Sequence, residues 1–307
     1  MSLRQMEYLV TVVEEASFTR AAELLGVTQS ALSHQIKALE REAGGPLLER
    51  LPRGVRLTPM GRAFLPHAEL AVRSAGRAWR AAHAAAGAEG GELHLATLHA
   101  LAVGVLPGLF ARWRRERPGM RLVVHEYATG EELRDAMEHG VADLAVGHRP
   151  KDWPGPVVSL GEEEVVAVVA PDDPLAGRPV VRLTDLADRD WVRCALEPVV
   201  DGRRFLDLAC ERAGFTPRTA VDTEHSSTAV SMAAAGVGVL ITAAHGAARH
   251  DCVTLPLDPP WRREVTAFSR VRLTGAAAAF VTLLRRTGCQ GVTLRSSDHP
   301  ASTSSGE

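Results

Sequence analysis

Three helical patterns lie close together at the start of the chain, and their spacing constrains the fold more than any other feature. Apolar residues recur at helical spacing over 2–14, and a second, shorter helix is predicted over Phe18–Leu25. Gly26 follows directly, where the left-handed conformation that ends a helix is needed. A third helix is predicted over Gln29–Glu42. Two short helices and a glycine-containing turn ahead of a third helix predict a helix-turn-helix.

The third predicted helix has two different faces. Leu32, Ile36 and Leu39 fall at i, i+4 and i+7 and are expected to face a core. The opposite face carries polar side chains: Gln29, Ser30, Ser33, His34 and Lys37. Such groups can approach base edges and phosphates without a large steric body, so this face is predicted to bind DNA. Ser17 and Thr28 are predicted to cap the second and third helices, and both are included in the DNA-binding set. A helical hairpin with a solvated polar face is the alternative.

A short hairpin is predicted after the third helix. In Gly45–Arg56, apolar Leu47, Leu48 and Leu51 alternate with turn residues. The arginines of this segment are Arg50, Arg53 and Arg56. A hairpin wing with arginines near its tip can lie along the phosphate backbone of DNA.

The net charge of the chain does not indicate a nucleic-acid-binding protein. The whole chain carries a formal net charge of -2, and the acidic and basic side chains of residues 1–60 balance. DNA binding would therefore depend on charges segregated to one face and on two or more copies acting together.

A long linker helix is predicted over 58–88. Thr58 is a suitable N-cap and Pro59 suits the first helical position. A heptad seam of mostly small residues follows: Phe64, Ala68, Ala71, Ala75, Ala78 and Ala82. A palindromic DNA site requires two recognition helices, which favours dimerisation through this seam. A single helix packed on its own domain is the alternative. Glycines at 87, 90 and 91 are expected to end the helix.

Strand and helix patterns alternate from Glu92 onward, which predicts a parallel, doubly wound α/β domain over 92–287. Its first lobe is expected at about 92–160 plus 265–287, and its second at about 161–264. The fold class is therefore α/β overall, with a mainly α N-terminal domain of residues 1–57. Residues 288–307 contain few large apolar groups and are predicted to form a disordered tail.

A cleft between two such lobes would bind a small molecule at strand ends and helix starts. The candidate effector-binding residues follow strand ends: Thr97, His99, Thr129, Gly147, His148, His225, Ser226 and Ser227. Hydroxyls and backbone N–H groups near helix starts favour an anionic effector. A cap or a loop surface group is the alternative for each residue.

The first 60 residues resemble the LysR-type transcriptional regulators. The resemblance is carried by SFTRAAELLGVTQSALSHQIKALE (17–40), by GPLLER (45–50) and by LTPMG (57–61). Leu48 departs from the phenylalanine usual in the family, but a branched aliphatic side chain can fill the same core position.

This resemblance implies a winged helix-turn-helix, a coiled-coil linker helix and a periplasmic-binding-protein-like effector domain. It also implies a homodimer or homotetramer that binds double-stranded DNA at an interrupted palindrome near a promoter. Base and phosphate contacts would come from the polar face of the third helix, and wing contacts from Arg53. RNA polymerase is a further candidate partner.

Other functions find less support in the sequence. No phosphate loop, nucleophile elbow or zinc-spaced cysteine motif is present, so neither catalysis nor a cofactor is expected. A metal-responsive regulator is an alternative because of the twelve histidines, although no ligand spacing occurs. A redox-responsive regulator is another, with Cys194 and Cys210 as the candidate pair. No signal peptide or long apolar segment is recognised, so a cytoplasmic protein is expected and a transport binding protein or membrane association is not.

Overall fold

The computed structural model describes residues 1–51, 54–85, 91–194, 199–200, 202–287 and 292–293. The chain forms two compact units, of which the first comprises 1–91 with 135–141 and the second begins at Glu92. Three predictions fall wholly or largely outside the described residues. They concern Arg53 at the wing tip, the glycines at 87 and 90, and the tail at 288–307.

The first unit contains the predicted helices and hairpin. Its elements are α1 (Leu3–Glu14), α2 (Phe18–Leu24), α3 (Gln29–Ala43), β1 (Leu48–Leu51), β2 (Gly54–Leu57) and α4 (Pro59–Ala85). The hydroxyl of Ser17 accepts a hydrogen bond from the Arg20 N–H at 3.3 Å, and that of Thr28 accepts one from the Ala31 N–H at 3.2 Å. Gly26 has φ +64°, as its place after α2 requires. The predicted helix-turn-helix and both caps are confirmed.

Buried contacts fix the wing to α3. Leu32, Ile36 and Leu39 are buried in the core of this unit, as is Leu48 of β1. One carboxylate oxygen of Glu40 accepts hydrogen bonds from the backbone N–H groups of Leu47 and Leu48 at 2.9 and 3.1 Å. β1 and β2 pair as an antiparallel hairpin. The wing therefore starts at a set position relative to the polar face of α3.

Helix α4 begins as predicted, since the Thr58 hydroxyl accepts a hydrogen bond from the Gly61 N–H at 3.0 Å. Phe64, the first member of the predicted heptad seam, packs against the core of the helix-turn-helix. Ala68 is buried, whereas Trp79 is largely exposed. The start of the seam thus serves packing within the chain, and dimerisation through its later positions stays a prediction.

The rest of the chain is mixed α/β. Its strands are β3 (Gly91–Leu98), β4 (Met120–Tyr127), β5 (Leu144–His148), β6 (Val157–Val169), β7 (Asp190–Cys194), β8 (Val199–Val200), β9 (Arg203–Arg204), β10 (Arg218–Thr223), β11 (Leu240–Ala243), β12 (Val253–Phe268) and β13 (Val292–Thr293). Its helices are α5 (His99–Gly104), α6 (Leu106–Glu116), α7 (Gly130–Glu138), α8 (Phe205–Arg212), α9 (Ser226–Ala234), α10 (Ala244–Ala247) and α11 (Gly275–Thr287).

The main sheet corrects the prediction of a parallel domain. Its strand order is β11-β6-β12-β5-β3-β4, with β13 also paired to β6. β3 and β5 are parallel, but β12 is antiparallel to both β5 and β6, and β11 is antiparallel to β6. For the two longest strands, β6 and β12, the apolar pattern of the sequence predicts only 165–169 and 265–269. Three glutamates at 162–164 and three prolines within 256–260 interrupt the apolar runs and conceal the length of β6 and β12.

Alternate residues of β6 enter two different cores. Val165, Ala167 and Val169 pack with Trp191, whereas Val166 and Val168 pack with α9. This period-two alternation with both faces buried is typical of a sheet covered on both sides. β7 and β10 form a separate short parallel pair. An isolated bridge joins Trp191 of β7 to Val239, the residue before β11.

Candidate DNA interface and effector cavity

Helix α3 presents most of the predicted DNA-binding residues to solvent. Gln29, Ser30, His34 and Lys37 are exposed and Ser33 is half-buried. The buried residues of α3 hold the helix from the other side, so its polar face has a fixed orientation within this unit. Such a face can enter a major groove and approach base edges.

The remaining predicted DNA-binding residues differ in their surroundings. The hydroxyls of Ser17 and Thr28 are engaged as helix caps, and that of Thr28 also lies 3.1 Å from the Ser30 hydroxyl. In the wing, a guanidinium N–H of Arg56 donates to a Glu49 carboxylate oxygen at 2.7 Å. Arg41, which the sequence reasoning did not select, is exposed one turn beyond Lys37 on α3. Exposed basic side chains are therefore present on both α3 and the hairpin.

The second unit contains a cavity of about 530 Å³. Its lining is mainly apolar and includes Leu98, Val165, Phe205, Leu240, Ile241 and Trp261. The polar lining residues are His148, Ser226, Thr242, Arg262 and Arg263. The cavity has the size, the apolar walls and the few convergent polar groups that are typical of small-molecule sites.

A buried carboxylate lies behind the polar lining. The Glu163 side chain is 1% exposed, and its two oxygens accept hydrogen bonds from His148 Nε2 at 2.9 Å and His245 Nε2 at 2.8 Å. A guanidinium nitrogen of Arg263 lies 2.6 Å from the same oxygen that His148 contacts. Burial by itself would raise the pKa of Glu163. The hydrogen bonds from the two histidines and the charge of Arg263 outweigh burial and hold that pKa far below its ordinary value.

Strand register brings Glu163, His148 and Arg263 together, and a short helix adds His245. Glu163 of β6 and Arg263 of β12 are direct cross-strand partners. His148 ends β5 opposite Val265 of β12, and His245 lies on α10. Sequence reasoning did not select Glu163, His245 or Arg263. The available signal was the acidic triplet at 162–164, because a glutamate inside an otherwise apolar strand requires a buried partner.

The structure brings only part of the predicted effector set to the cavity. His148 and Ser226 line it. Leu98 and Ala128 line it in place of their neighbours Thr97 and Thr129.

The neighbours have structural partners of their own. Thr97 is fully buried and its hydroxyl donates to the Val146 carbonyl at 2.9 Å. The Thr129 hydroxyl accepts from the Glu132 N–H at the start of α7, at 3.2 Å. Gly147 is buried, and a Cβ at this position would lie 2.5 Å from a Leu133 methyl group.

The other three predicted residues lie close in sequence to the cavity residues. His99 Nδ1 is 2.6 Å from a Glu126 carboxylate oxygen, and the rings of His99 and His225 are 6.2 Å apart. Ser227 is exposed, and its carbonyl accepts a hydrogen bond from the Ser231 hydroxyl at 3.0 Å. Within the described part of the chain, these three side chains are not among those that line the cavity.

The cysteines relevant to a redox response differ in their surroundings. Cys194 lines the cavity as a free thiol, with its sulfur 3.7 Å from the Ser226 hydroxyl. Cys210 is fully buried in the core around Trp191. Burial raises the pKa of the Cys252 thiol. Among the described residues, no group of three or more histidine, cysteine or acidic side chains is arranged to hold a metal ion. No described helix is both long and apolar enough to cross a membrane.

A winged helix-turn-helix followed in the chain by an α/β domain with a ligand cavity defines a DNA-binding regulator that responds to a small molecule. Residues 3–62 match the family model described as bacterial regulatory helix-turn-helix protein, lysR family. Residues 86–288 match the model described as LysR substrate binding domain. The chain belongs to the LysR-type transcriptional regulators.

Individual relatives agree with this assignment. The chain is 36% identical over 250 residues to the HTH-type transcriptional regulator ShiR of Corynebacterium glutamicum (strain R), covering 80% of this chain and 83% of the relative. It is 33% identical over 239 residues to a probable hydrogen peroxide-inducible genes activator of Mycobacterium avium, covering 76% and 74%. Full-length CbnR in complex with its target DNA has the same fold, with a TM-score of 0.67, 24% identity and coverage of 93% and 99%.

The function follows from the family. The protein is a sequence-specific DNA-binding transcriptional regulator with a small-molecule effector domain, and it belongs to a family of non-enzymatic, oligomeric proteins. The predicted family, fold class and principal function are confirmed.

Proposed function

We propose that this regulator acts in the cytoplasm, where α3 enters the major groove at a promoter and a small molecule in the cavity near His148 controls the outcome. The observation that carries the DNA half of this proposal is the exposed polar face of α3, held in place by buried Leu32, Ile36 and Leu39. The cavity in the second unit supports the other half.

On the DNA, different side chains have different tasks. Gln29, Ser30, Ser33 and His34 approach base edges, because their side chains are short or planar and can hydrogen-bond there. The remaining members of the set contact phosphates: Ser17, Thr28, Lys37 and Arg53. Phosphate contacts position the protein and make its affinity fall with salt, whereas base contacts select the sequence.

Two of the predicted residues, His148 and Ser226, are proposed to contact the effector directly. His148 is the last residue of β5 and Ser226 is the first residue of α9, and both line the cavity. The other predicted residues would act indirectly: Thr97 by holding β3 to β5, and His99, Thr129, Gly147, His225 and Ser227 by supporting residues that line the cavity. A hydrogen bond from one side chain to a ligand contributes about 1 kcal/mol.

We also assign a function to each of three segments of the chain. Residues 1–57 bind DNA, 58–88 bring two copies together, and 92–287 bind the effector. A neutral DNA-binding module needs at least two copies for useful affinity, so the target is an interrupted palindrome that a dimer or tetramer spans. RNA polymerase is then a partner at the promoter.

A footprint on the DNA upstream of the protein's own gene tests this function. Purified protein is titrated at two stated salt concentrations, because phosphate contacts make affinity depend on salt. Two protected half-sites related by two-fold symmetry are expected. Absence of protection there, together with no enriched sequence in genome-wide binding, would contradict the proposal.

A peroxide-responsive regulator is the second candidate. It is favoured by the free thiol of Cys194 in the cavity and by a relative named for induction by hydrogen peroxide. Peroxide should then change the footprint of the natural protein but not that of Cys194→Ser. An identical response of both proteins would reject Cys194 as the sensor.

A further inference from the structure

The polar lining of the cavity indicates which class of effector it takes. This inference rests on the proposed function, namely that the cavity is the effector site. We infer that the effector is an organic anion with an apolar body, that its carboxylate binds Arg263, and that Glu163 is the positioning residue for that arginine.

The lining favours a negative charge over a positive one. Its charged members are Arg262 and Arg263, and within the described residues no aspartate or glutamate lines the cavity. The carboxylate that contacts Arg263, that of Glu163, is 1% exposed and faces its own partners. A cationic ligand would therefore find no carboxylate in the described lining, whereas an anionic ligand would find two arginines there.

Arg263 retains hydrogen-bonding capacity for a ligand. One of its terminal nitrogens contacts Glu163 at 2.6 Å. Its Nε is buried, so contact with a ligand falls to the exposed part of the guanidinium. The side chain is 33% exposed, so part of it is accessible from the cavity. A guanidinium presents its N–H donors in a planar fork, and a ligand carboxylate can satisfy the donors that Glu163 does not.

Glu163 sets the orientation of this fork. Its ionised carboxylate only accepts hydrogen bonds, so both His148 and His245 donate to it through Nε2. These two bonds leave the carboxylate little freedom to turn, and Arg263 is bound to the oxygen that His148 also contacts. Arg262 has a looser partner, with its guanidinium 4.0 Å from Glu162. Glu163 therefore acts on the ligand through Arg263.

The first experiment compares charged and neutral probes of equal shape. The full-length protein is titrated calorimetrically with benzoate and benzamide, phenylacetate and phenylacetamide, and 2-naphthoate and 2-naphthamide. Fluorescence of Trp261, which lines the cavity, gives an independent signal. At least one carboxylate should bind at least about tenfold more tightly than its amide. Equal affinity within every pair, or no binding by any carboxylate, would overturn the inference.

Substitutions then assign the preference to residues. Arg263→Gln should abolish the carboxylate-over-amide ratio, and Arg263→Lys should restore part of it. Glu163→Gln should reduce the ratio while leaving amide affinity unchanged, an effect that simple loss of stability would not produce. Arg149→Gln is the matched control, because Arg149 is paired with Glu264 and does not line the cavity. If Glu163→Gln does not fold, Arg263→Gln decides alone. An unchanged ratio in Arg263→Gln would contradict the inference.

A blocking variant separates this inference from the proposed function. Ala100 lines the cavity and is half-buried, so Ala100→Trp should obstruct it. Carboxylate binding that Ala100→Trp removes and Arg263→Gln weakens supports both ideas. If Ala100→Trp removes binding but carboxylate and amide bind equally, the cavity is the effector site and the anionic class is wrong. If Ala100→Trp leaves carboxylate binding unchanged, the placement of the effector site itself is wrong.

Discussion

The DNA-binding face and the effector cavity differ in how their residues are distributed along the chain. The face belongs to one helix and lies within Gln29–Lys37, whereas the cavity collects residues from Leu98 to Arg263. The first surface depends on the period of a helix, and the second depends on which strands become neighbours. A helical surface can therefore be recognised in the sequence residue by residue, but a cavity assembled by strand pairing cannot.

The largest expected effect concerns the buried carboxylate of the effector domain. Glu163→Gln should lower the free energy of unfolding at pH 7 by about 3 kcal/mol, because removing one charge of a buried ion pair leaves the other uncompensated. Urea denaturation measures the change. Glu211→Gln is the matched control, since Glu211 pairs with Arg203 at the surface and should contribute under about 1 kcal/mol. Equal losses in both variants would contradict the role of Glu163.

Acid should remove this difference. The pKa of Glu163 in the folded protein lies below the ordinary glutamate value of 4.5. Its stabilising contribution is therefore complete above about pH 5 and is lost as the pH falls towards the folded-state pKa. The gap in unfolding free energy between the natural protein and Glu163→Gln should narrow between about pH 5 and pH 3. A constant gap across this range would argue against ionised Glu163 as its source.

The second prediction addresses the recognition helix. Ser33→Ala combined with Lys37→Ala should weaken specific DNA binding by about 2 kcal/mol, since a base-directed hydroxyl and a phosphate-directed charge are lost together. Fluorescence anisotropy at physiological salt measures the affinity. Ser231→Ala with Lys151→Ala removes the same chemistry from exposed positions of the effector domain and should leave affinity unchanged. Unaltered affinity in the first variant would refute the assignment of α3.

A third, smaller effect distinguishes Thr97 of β3, which should matter for stability, from Ser226 of α9, which should matter for ligand affinity. Thr97→Val should cost about 1–3 kcal/mol of stability, because the Val146 carbonyl loses its buried donor. It should leave affinity for the best carboxylate probe unchanged. Ser226→Ala should do the reverse and weaken that affinity about fivefold. Calorimetry and denaturation of both variants test this, and unchanged ligand affinity in both would remove Ser226 from the site.

The smallest expected effect is on stability, when one helix cap is removed from the DNA-binding region and one from the effector domain. Thr28→Ala and Thr129→Ala each remove a hydroxyl that accepts a backbone N–H, from α3 and α7 respectively. Each should cost about 1 kcal/mol of stability. DNA affinity should fall only in Thr28→Ala, because α3 alone carries the recognition face. A fall in both variants would indicate that the two regions are coupled.

The sequence predicted those parts of the fold that local chemistry determines. The starts of α2, α3 and α4 follow from the hydroxyls of Ser17, Thr28 and Thr58, each of which caps its helix in the structure. Strands β6 and β12 were predicted at less than half their length, because acidic residues and prolines disrupt their apolar pattern. These residues are tolerated through long-range partners, which a local pattern does not contain.

Prediction of the cavity residues from the sequence was limited for the same reason. Choosing residues after strand ends selected His148 and Ser226 correctly as lining residues but also selected Thr97, whose side chain faces the interior. A shift of one position along a strand exchanges the two faces of a sheet. Arg263 was not selected because its importance depends on Glu163, its cross-strand partner.

The length of β6 and β12 has a mechanical consequence. β6 pairs with β11 near its C-terminal end, β12 pairs with β5 near its own C-terminal end, and the two strands pair with each other along their length. The β11 side and the β5 side of the sheet are therefore joined by two continuous strands. Reorientation of one side against the other would then have to twist these two strands. The Glu163–Arg263 pair lies between two register shifts, at Pro256/Trp261 and at Val265/Thr266. A ligand that pulls on Arg263 would therefore apply torque to the segment where the ladder is least regular.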